Sequence, residues 1–281
     1  SNIFTSFILK DFQNFKSVLI ERNHLDEMNY YESIKDFLKK IIIKIIMRIN
    51  YSKATLIIGN AKKLSKDLSV FVNKKVNTIY SPTNSSKIIK LSKSYLPSVI
   101  KKDTSRTRLL SVSRFTKRKD ILTLLEAFNE LSNKYKNIDL ILIGYGPELN
   151  NINKFVEDNK HSNRVFVLPP KKNPFPFFVI SDLYIMTSLY EGCPNSIIEA
   201  TILNLPVISS NCNSGPSEIL LNGRGGTFYK KKNKYSLKKK ISLFMNNKKF
   251  FKKKLKVAKK NINRFEEKRI LKQYNELFNA L

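Results

Sequence analysis

The stretch LYIMTSLYEGCPNSIIEATILNLPVIS, Leu183 to Ser209, decides the fold. It opens on a short apolar run, Leu183 to Met186, which reads as a buried strand. A polar loop with Gly192 and Pro194 follows, and Ser196 with Glu199 three residues later forms a helix-start pattern before an apolar stretch. The helix has to end before Pro206, where a second buried strand, Val207 to Ser209, begins. Strand, loop, helix, strand is the unit of an open α/β sheet. Its ligands sit in a crevice at strand carboxyl ends, facing helix N-termini. Two carboxylates, Glu191 and Glu199, bracket the loop and helix start.

The same alternation extends both ways. Upstream, Arg108 to Val112, Asp139 to Ile143 and Val165 to Leu168 read as strands, with a helix from Asp120 to about Tyr135. Downstream come a short helix near Glu218, a glycine turn at Gly223 to Gly226, the strand Thr227-Phe228, and a very basic helical region ending in a helix over 265–281. Before residue 86, Ser17 to Ile20, Thr55 to Ile58 and Val76 to Tyr80 read as strands, while Ser1 to Phe15 carries no clear pattern. Weak periodicity over 86–107 reads as a linker. The expected fold class is α/β with two Rossmann-like parallel-sheet domains, 1–85 and 108–264, followed by a last helix over 265–281. Only about three strands precede the linker, with no phosphate-binding glycine turn, so the first domain is expected to be incomplete, the chain beginning inside it.

A chain of 281 residues with 42% hydrophobic and 26% charged residues can bury a full core. Its net charge is +30. Lys, Asn and Ile are abundant together, which suits compositional drift; attraction to an anionic membrane surface is the functional alternative. Nucleic acid is not the expected partner, because the basic residues are scattered without an aromatic-plus-basic RNA motif. Residues 30–49 place Ile34, Phe37, Leu38, Ile41, Ile42, Ile45, Ile46 and Ile49 at helical spacing among lysines. That pattern predicts a helix with its apolar side on the core; a helix lying on a membrane is the alternative. Two cysteines make no disulfide framework and suit a reducing, cytoplasmic setting.

A diphosphate needs cations and oriented backbone N–H groups. Arg114 and Lys119 follow a strand in the loop before a helix, where a crevice should lie, and can hold a diphosphate leaving group without a metal. Glu191 suits sugar hydroxyls, and Glu199 a ribose diol or simply a capping box with Ser196. Cys193 reads as loop packing. His24, after a strand end, is a candidate site residue; His161 is assigned nothing.

The run Ser188-Leu189-Tyr190-Glu191-Gly192-Cys193-Pro194-Asn195-Ser196-Ile197-Ile198-Glu199-Ala200 resembles the E-x7-E signature of family 4 retaining glycosyltransferases, which have the GT-B fold. Ser113-Arg114-Phe115 with Lys119 resembles that family's diphosphate loop, and Gly144-Tyr145-Gly146-Pro147-Glu148 its glycine turn. Ser214-Gly215-Pro216 with Glu218-Ile219 resembles the segment after E-x7-E, and the final helix the one that crosses back to the first domain. The resemblance implies a nucleotide-sugar donor, UDP-linked, and a glycan or lipid-linked acceptor, with anomeric configuration retained and no cofactor or metal. It implies that Arg114 and Lys119 hold the diphosphate, that Glu191 and Gly192, Cys193, Pro194 and Asn195 hold the sugar and adjoining phosphate, and that Glu199 holds the ribose. Val167 and Leu168 would flank the base, and Glu21-Arg22-Asn23-His24 resembles an acceptor-side loop that often carries a functional histidine. Asp120 stands where the family has glycine after the lysine, and Pro169-Pro170 where a glycine is common. The implied setting is bacterial cell-surface polysaccharide or glycoconjugate synthesis, at the inner face of the membrane. A sugar epimerase of the same fold and a non-catalytic nucleotide-sugar- or membrane-binding module are the alternatives.

Overall fold

The computed structural model describes residues 16–94 and 105–281. The opening residues 1–15 and the middle of the expected linker lie outside them. Two parallel sheets form. The larger has six strands: β4 (Thr107–Val112), β5 (Ile138–Ile143), β6 (Val165–Leu168), β7 (Leu183–Met186), β8 (Val207–Ser210) and β9 (Thr227–Tyr229). Their order, β6-β5-β4-β7-β8-β9, is doubly wound, with every pairing parallel. These strands read as continuous apolar runs because both faces are covered by helices. Along β5, Leu140 and Leu142 enter one core while Ile141 and Ile143 enter the other. Along β7, Ile185 faces the first core and Tyr184 and Met186 the second. This is the alternation of a pleated strand.

The smaller sheet has three strands among the described residues, β1 (Val18–Glu21), β2 (Leu56–Gly59) and β3 (Asn77–Thr78), in that order and parallel. β3 is shorter than the expected Val76 to Tyr80. Helices Ile34–Lys53 and Lys62–Val72 pack through Met47, Tyr51, Leu64 and Leu68 against Leu19 and Ile57 on one face. The opposite face, Leu56, Ile58 and Ile79, is covered by Ile270 of the last helix, Glu267–Asn279. That helix therefore leaves the second domain and closes the first.

Two expectations change. Residues 86–107 do not begin as a linker: Ser85–Ser92 is a helix whose Ile88 is buried in a core of the six-stranded domain, and Asn173 donates to the Leu91 carbonyl at 2.8 Å. Asn84 caps it by accepting from the Lys87 N–H at 2.8 Å, a turn-rich signal that doubles as a helix start. The core-facing reading of the apolar stripe in helix Ile34–Lys53 is also overturned. Ile34 is 81% exposed, and Leu38, Ile42, Ile45 and Ile49 are each more than half exposed. The helix docks instead through Ile43, Met47, Asn50 and Tyr51, which lie on its other side.

Because Ile270 is fully buried and ties the last helix to the first sheet, Ile270→Ala should cost roughly 2–5 kcal/mol, the range for truncating a buried isoleucine. Urea denaturation should show the loss as a lower midpoint, and an unchanged midpoint would contradict this packing.

Candidate functional site

The sheet reverses its winding between β4 and β7, which are neighbours although three helices separate them in sequence. Loops leaving their carboxyl ends diverge and leave a crevice. The two loops are tied across it: Leu189 N–H donates to the Arg118 carbonyl at 2.8 Å, and Thr187 Oγ1 to the Lys119 carbonyl at 2.5 Å. There Lys119 Nζ forms a salt bridge with the Glu191 carboxylate, both side chains largely buried. The structure thus joins two residues that lie 72 apart in sequence. Arg114 is exposed, its guanidinium 5.7 Å from the centre of the Tyr145 ring in the glycine turn. That turn needs its glycines for close approach. A Cβ at Gly144 would collide with the Ser113 carbonyl, and Gly146, at φ +150°, lies against the Phe115 backbone.

The loop after β7 is pressed between two others. A Cβ at Gly192 would strike the Arg22 carbonyl and the Asn60 side chain of the first domain, and one at Gly215 would strike the Gly192 carbonyl. Cys193 is buried and its thiol is pushed up to about 12 by that burial, which leaves it an inert packing residue. The capping box does not form. Helix Asn195–Ile202 starts with Pro194 at its cap position, so Ser196 already lies inside it, where its hydroxyl meets the Tyr184 phenol. Glu199, freed from capping, is partly buried, and desolvation pushes its carboxyl up to about 7. Leu168 is buried in one core and the half-buried Val167 packs against the other, on the opposite face of the sheet.

The first domain supplies the other wall. Glu21 shapes the loop after β1: its carboxylate accepts from the Arg22 and Asn23 N–H groups at 3.0 and 3.2 Å and from the Tyr51 hydroxyl at 2.9 Å. His24 is buried, with both ring nitrogens engaged inside the first domain. Nδ1 accepts from the Asp26 N–H at 3.1 Å, and Nε2 lies 3.0 Å from Asp67. It is the cap of a short 3-10 turn and does not meet Lys119 or Glu191 in any of these bonds. Contacts across the cleft come from residues that single-sequence reading passed over. Arg118 donates to Asn23 Oδ1 at 3.1 Å. Glu218 accepts from the backbone N–H groups of Lys62 and Lys63 at 2.9 and 2.8 Å and from the Tyr80 hydroxyl at 3.0 Å. Arg118 stands between two cations already singled out, and Asn60 follows the end of β2. Position at a strand end was the available signal for both.

Buried polar atoms without a partner gather on the same loops: Ser113 Oγ, Ser188 Oγ, Ser214 Oγ and Asn60 Oδ1. Orphaned buried polar atoms are rare in folded proteins and suit a site that expects a polar ligand. Among the described residues no group of His, Cys, Asp and Glu could hold a metal ion.

Residues 93–264 match the family model described as glycosyl transferases group 1, more than half of the chain, and the protein belongs to that family. Among curated relatives, an uncharacterized glycosyltransferase of Methanocaldococcus jannaschii is 33% identical over 217 residues, covering 76% of this chain and 52% of the relative. The chain thus spans about half the length of the curated relatives it matches. Among solved structures, a mutant of S. aureus TarM in complex with fondaparinux, alpha-GlcNAc-glycerol and UDP superposes with a TM-score of 0.77 at 21% identity, over 98% of this chain and 53% of that one. Anabaena Alr3699/HepE in complex with UDP-glucose gives 0.78 at 18% identity, over 99% and 75%. These likenesses show the GT-B fold.

A raised folded-state pKa at Glu199 favours the neutral form, so the folded state holds the extra proton between the ordinary 4.5 and about 7. Stability should therefore be lost as pH rises through that window, by roughly 3 kcal/mol in all. Urea titrations at pH 5 and 8 should show this loss in the parent chain and its absence in Glu199→Gln.

Proposed function

We propose that the chain is the donor-binding part of a glycosyltransferase that moves a sugar from a UDP-linked donor to a hydroxyl of a glycan or lipid-linked acceptor, with retention of configuration, a hexosyl- or N-acetylhexosaminyl-transferase of cell-surface polysaccharide or glycoconjugate synthesis. The observation that carries this reading is the buried Lys119–Glu191 pair at the point where the sheet reverses, beside the N-terminal end of helix Asn195–Ile202. Names among the relatives support it, including an N-acetylgalactosaminyltransferase of Campylobacter jejuni acting on a diphospho-undecaprenol-linked sugar.

In this reading an arriving diphosphate draws Lys119 from Glu191, and Arg114 closes from the exposed side. Two cations then neutralise the charge that develops on the leaving diphosphate, in a crevice where water is scarce and such contacts are strong. The released Glu191 carboxylate accepts hydroxyl hydrogen bonds from the sugar. Gly192 to Ser196 present backbone N–H groups to the adjoining phosphate, and Glu199 takes the ribose diol. Val167 and Leu168 flank the base. His24 shapes the acceptor-side loop, acting on substrate only where the Asp67 contact opens.

Titration with UDP by calorimetry tests the donor site. Arg114→Ala and Lys119→Ala should each weaken binding about tenfold or more, the value of a charge-assisted hydrogen bond. Binding unchanged in both variants would remove the site assignment.

A membrane partner has its own observation: the exposed stripe of Ile34, Leu38, Ile42, Ile45 and Ile49, flanked by Lys35, Lys39 and Arg48. We place this face on an anionic membrane surface, at the inner side of the membrane. No helix among the described residues is long and apolar enough to cross a bilayer. The protein should float with phosphatidylglycerol vesicles, and Ile42→Glu with Ile45→Glu should abolish flotation. Flotation that survives the double change would refute this surface.

A further inference from the structure

Strands β4 and β7 pair at only two positions, Leu109 beside Leu183 and Leu110 beside Tyr184. On its other side β4 keeps pairing with β5 as far as Val112 beside Ile143. The sheet therefore opens between β4 and β7 just below the crevice. The bonds from Leu189 and Thr187 hold the 118–119 end of the crossing segment, not the strand end from which Arg114 departs.

One side chain spans the gap. Tyr184 is 1% exposed, and its ring stacks on Phe178 with centres 5.5 Å apart and planes 11° from parallel. Fixed so, its hydroxyl reaches past Leu110 along β4 and donates to the Val112 carbonyl at 3.2 Å. The same oxygen meets the Ser196 hydroxyl, in the first turn of helix Asn195–Ile202. Burial, with the Glu199 charge nearby, holds the phenol above its ordinary range, so the proton aimed at Val112 stays in place. Packing does not call for this hydroxyl. The surrounding core is apolar, with Phe178, Met186 and Ile197 among its members, and a phenylalanine would fill the same space. A phenol buried there needs both bonds to offset its lost hydration.

The two partners belong to different walls of the crevice. Val112 is the last residue of β4 and is followed directly by Ser113 and Arg114. Ser196 precedes Glu199 by three residues on one helix. A nucleoside diphosphate has to meet the cations of the first wall and the carboxylate of the second at once. A small displacement of one wall spoils the fit to the whole ligand without altering either half.

We infer that Tyr184 is a positioning residue: its hydroxyl, joining the Val112 carbonyl to the Ser196 hydroxyl, sets the distance between the Arg114 loop and the Glu199 helix, and with it the affinity for a ligand long enough to touch both. Tyr184 meets no substrate itself. The inference rests on the donor reading for the identity of that ligand, a nucleoside diphosphate, and can fail while that reading stands.

Calorimetry on the 281-residue chain tests it, with UDP as ligand and inorganic diphosphate as competitor. Tyr184→Phe and Ser196→Ala should each weaken UDP binding about fivefold, the fold-change of one net hydrogen bond. The double variant should also lose about fivefold, because both changes cut the same contact. Ser196→Ala keeps the backbone N–H assigned to phosphate. Inorganic diphosphate, which needs only the cation wall, should bind Tyr184→Phe as it binds the parent. A hydroxyl that merely satisfies the core would lower the urea midpoint of Tyr184→Phe and leave its UDP affinity intact, and that result overturns the inference. So does a double variant weakened about 25-fold, the product of two independent losses, or an equal loss for UDP and diphosphate, the mark of general damage. A parent chain that binds neither ligand removes the donor reading, and this inference with it.

Discussion

The relation between the two domains turns on one carboxylate. Glu218, in the short helix after β8, accepts from the first two N–H groups of helix Lys62–Val72 in the other domain. Those groups have no partner within their own helix, and Ala61, at its cap, offers no side chain to satisfy them. A negative charge there also meets the positive end of the helix dipole. Tyr80 adds its hydroxyl, and burial, with the carboxylate beside it, holds that phenol above its ordinary pKa. From the other side, Arg264 holds the same segment by donating to the Ile219 carbonyl at 3.2 Å. The consequence appears one loop away. With the domains held so, the Arg22 carbonyl lies so close to Gly192 that no side chain fits between them. The loop after β7 is confined because the domains are locked, and the lock is made of backbone groups that a shift of one domain would leave unsatisfied.

Within that confinement lies the Lys119–Glu191 pair. Each charge of the pair neutralises the other; a lone buried charge would be costly, and a buried pair roughly breaks even. That near balance makes the pair exchangeable. Under the proposed function a diphosphate would offer Lys119 a stronger partner, and the carboxylate left behind would accept from sugar hydroxyls. Arg114 has no comparable restraint; it rests over Tyr145 at the exposed rim and can follow a ligand in.

Much of this was legible in the sequence, and the reason differs from element to element. Val165–Leu168 and Leu183–Met186 form the strands read from their apolar runs, because a strand covered on both faces is apolar throughout and is bounded by turn residues. The crevice was legible because polar loops follow apolar strands and lead into helix starts, the place where open α/β sheets bind ligands. The start of helix Asn195–Ile202 was misread because Pro194 pre-sets the entry and displaces Ser196 from the cap, a local competition that spacing alone does not rank. Helix Ile34–Lys53 shows a different limit. Periodicity reports that an apolar stripe exists, not what lies against it, and here the docking face is the one carrying Asn50 and Tyr51. Pairs such as Arg118 with Asn23, 95 residues apart, leave no trace in a single sequence.

The charge of the chain is informative mainly through its minority. With 52 basic residues, the position of any one lysine says little, and the drift toward Lys, Asn and Ile needs no function to explain it. The 22 acids are another matter. Glu191 neutralises the crevice lysine, Glu199 sits unpaired one turn into the helix beside it, Glu218 locks the domains, and Glu21 folds the loop that faces Gly192. Asp67 meets the histidine of the adjoining wall. Exposed acids would lower a repulsive net charge most cheaply anywhere on the surface. These acids stand at the cleft, where they act on particular partners and not on the net charge of the surface. Their placement marks the cleft as the part of the molecule where composition gives way to chemistry, and it does so more sharply than the cations that first drew attention to it.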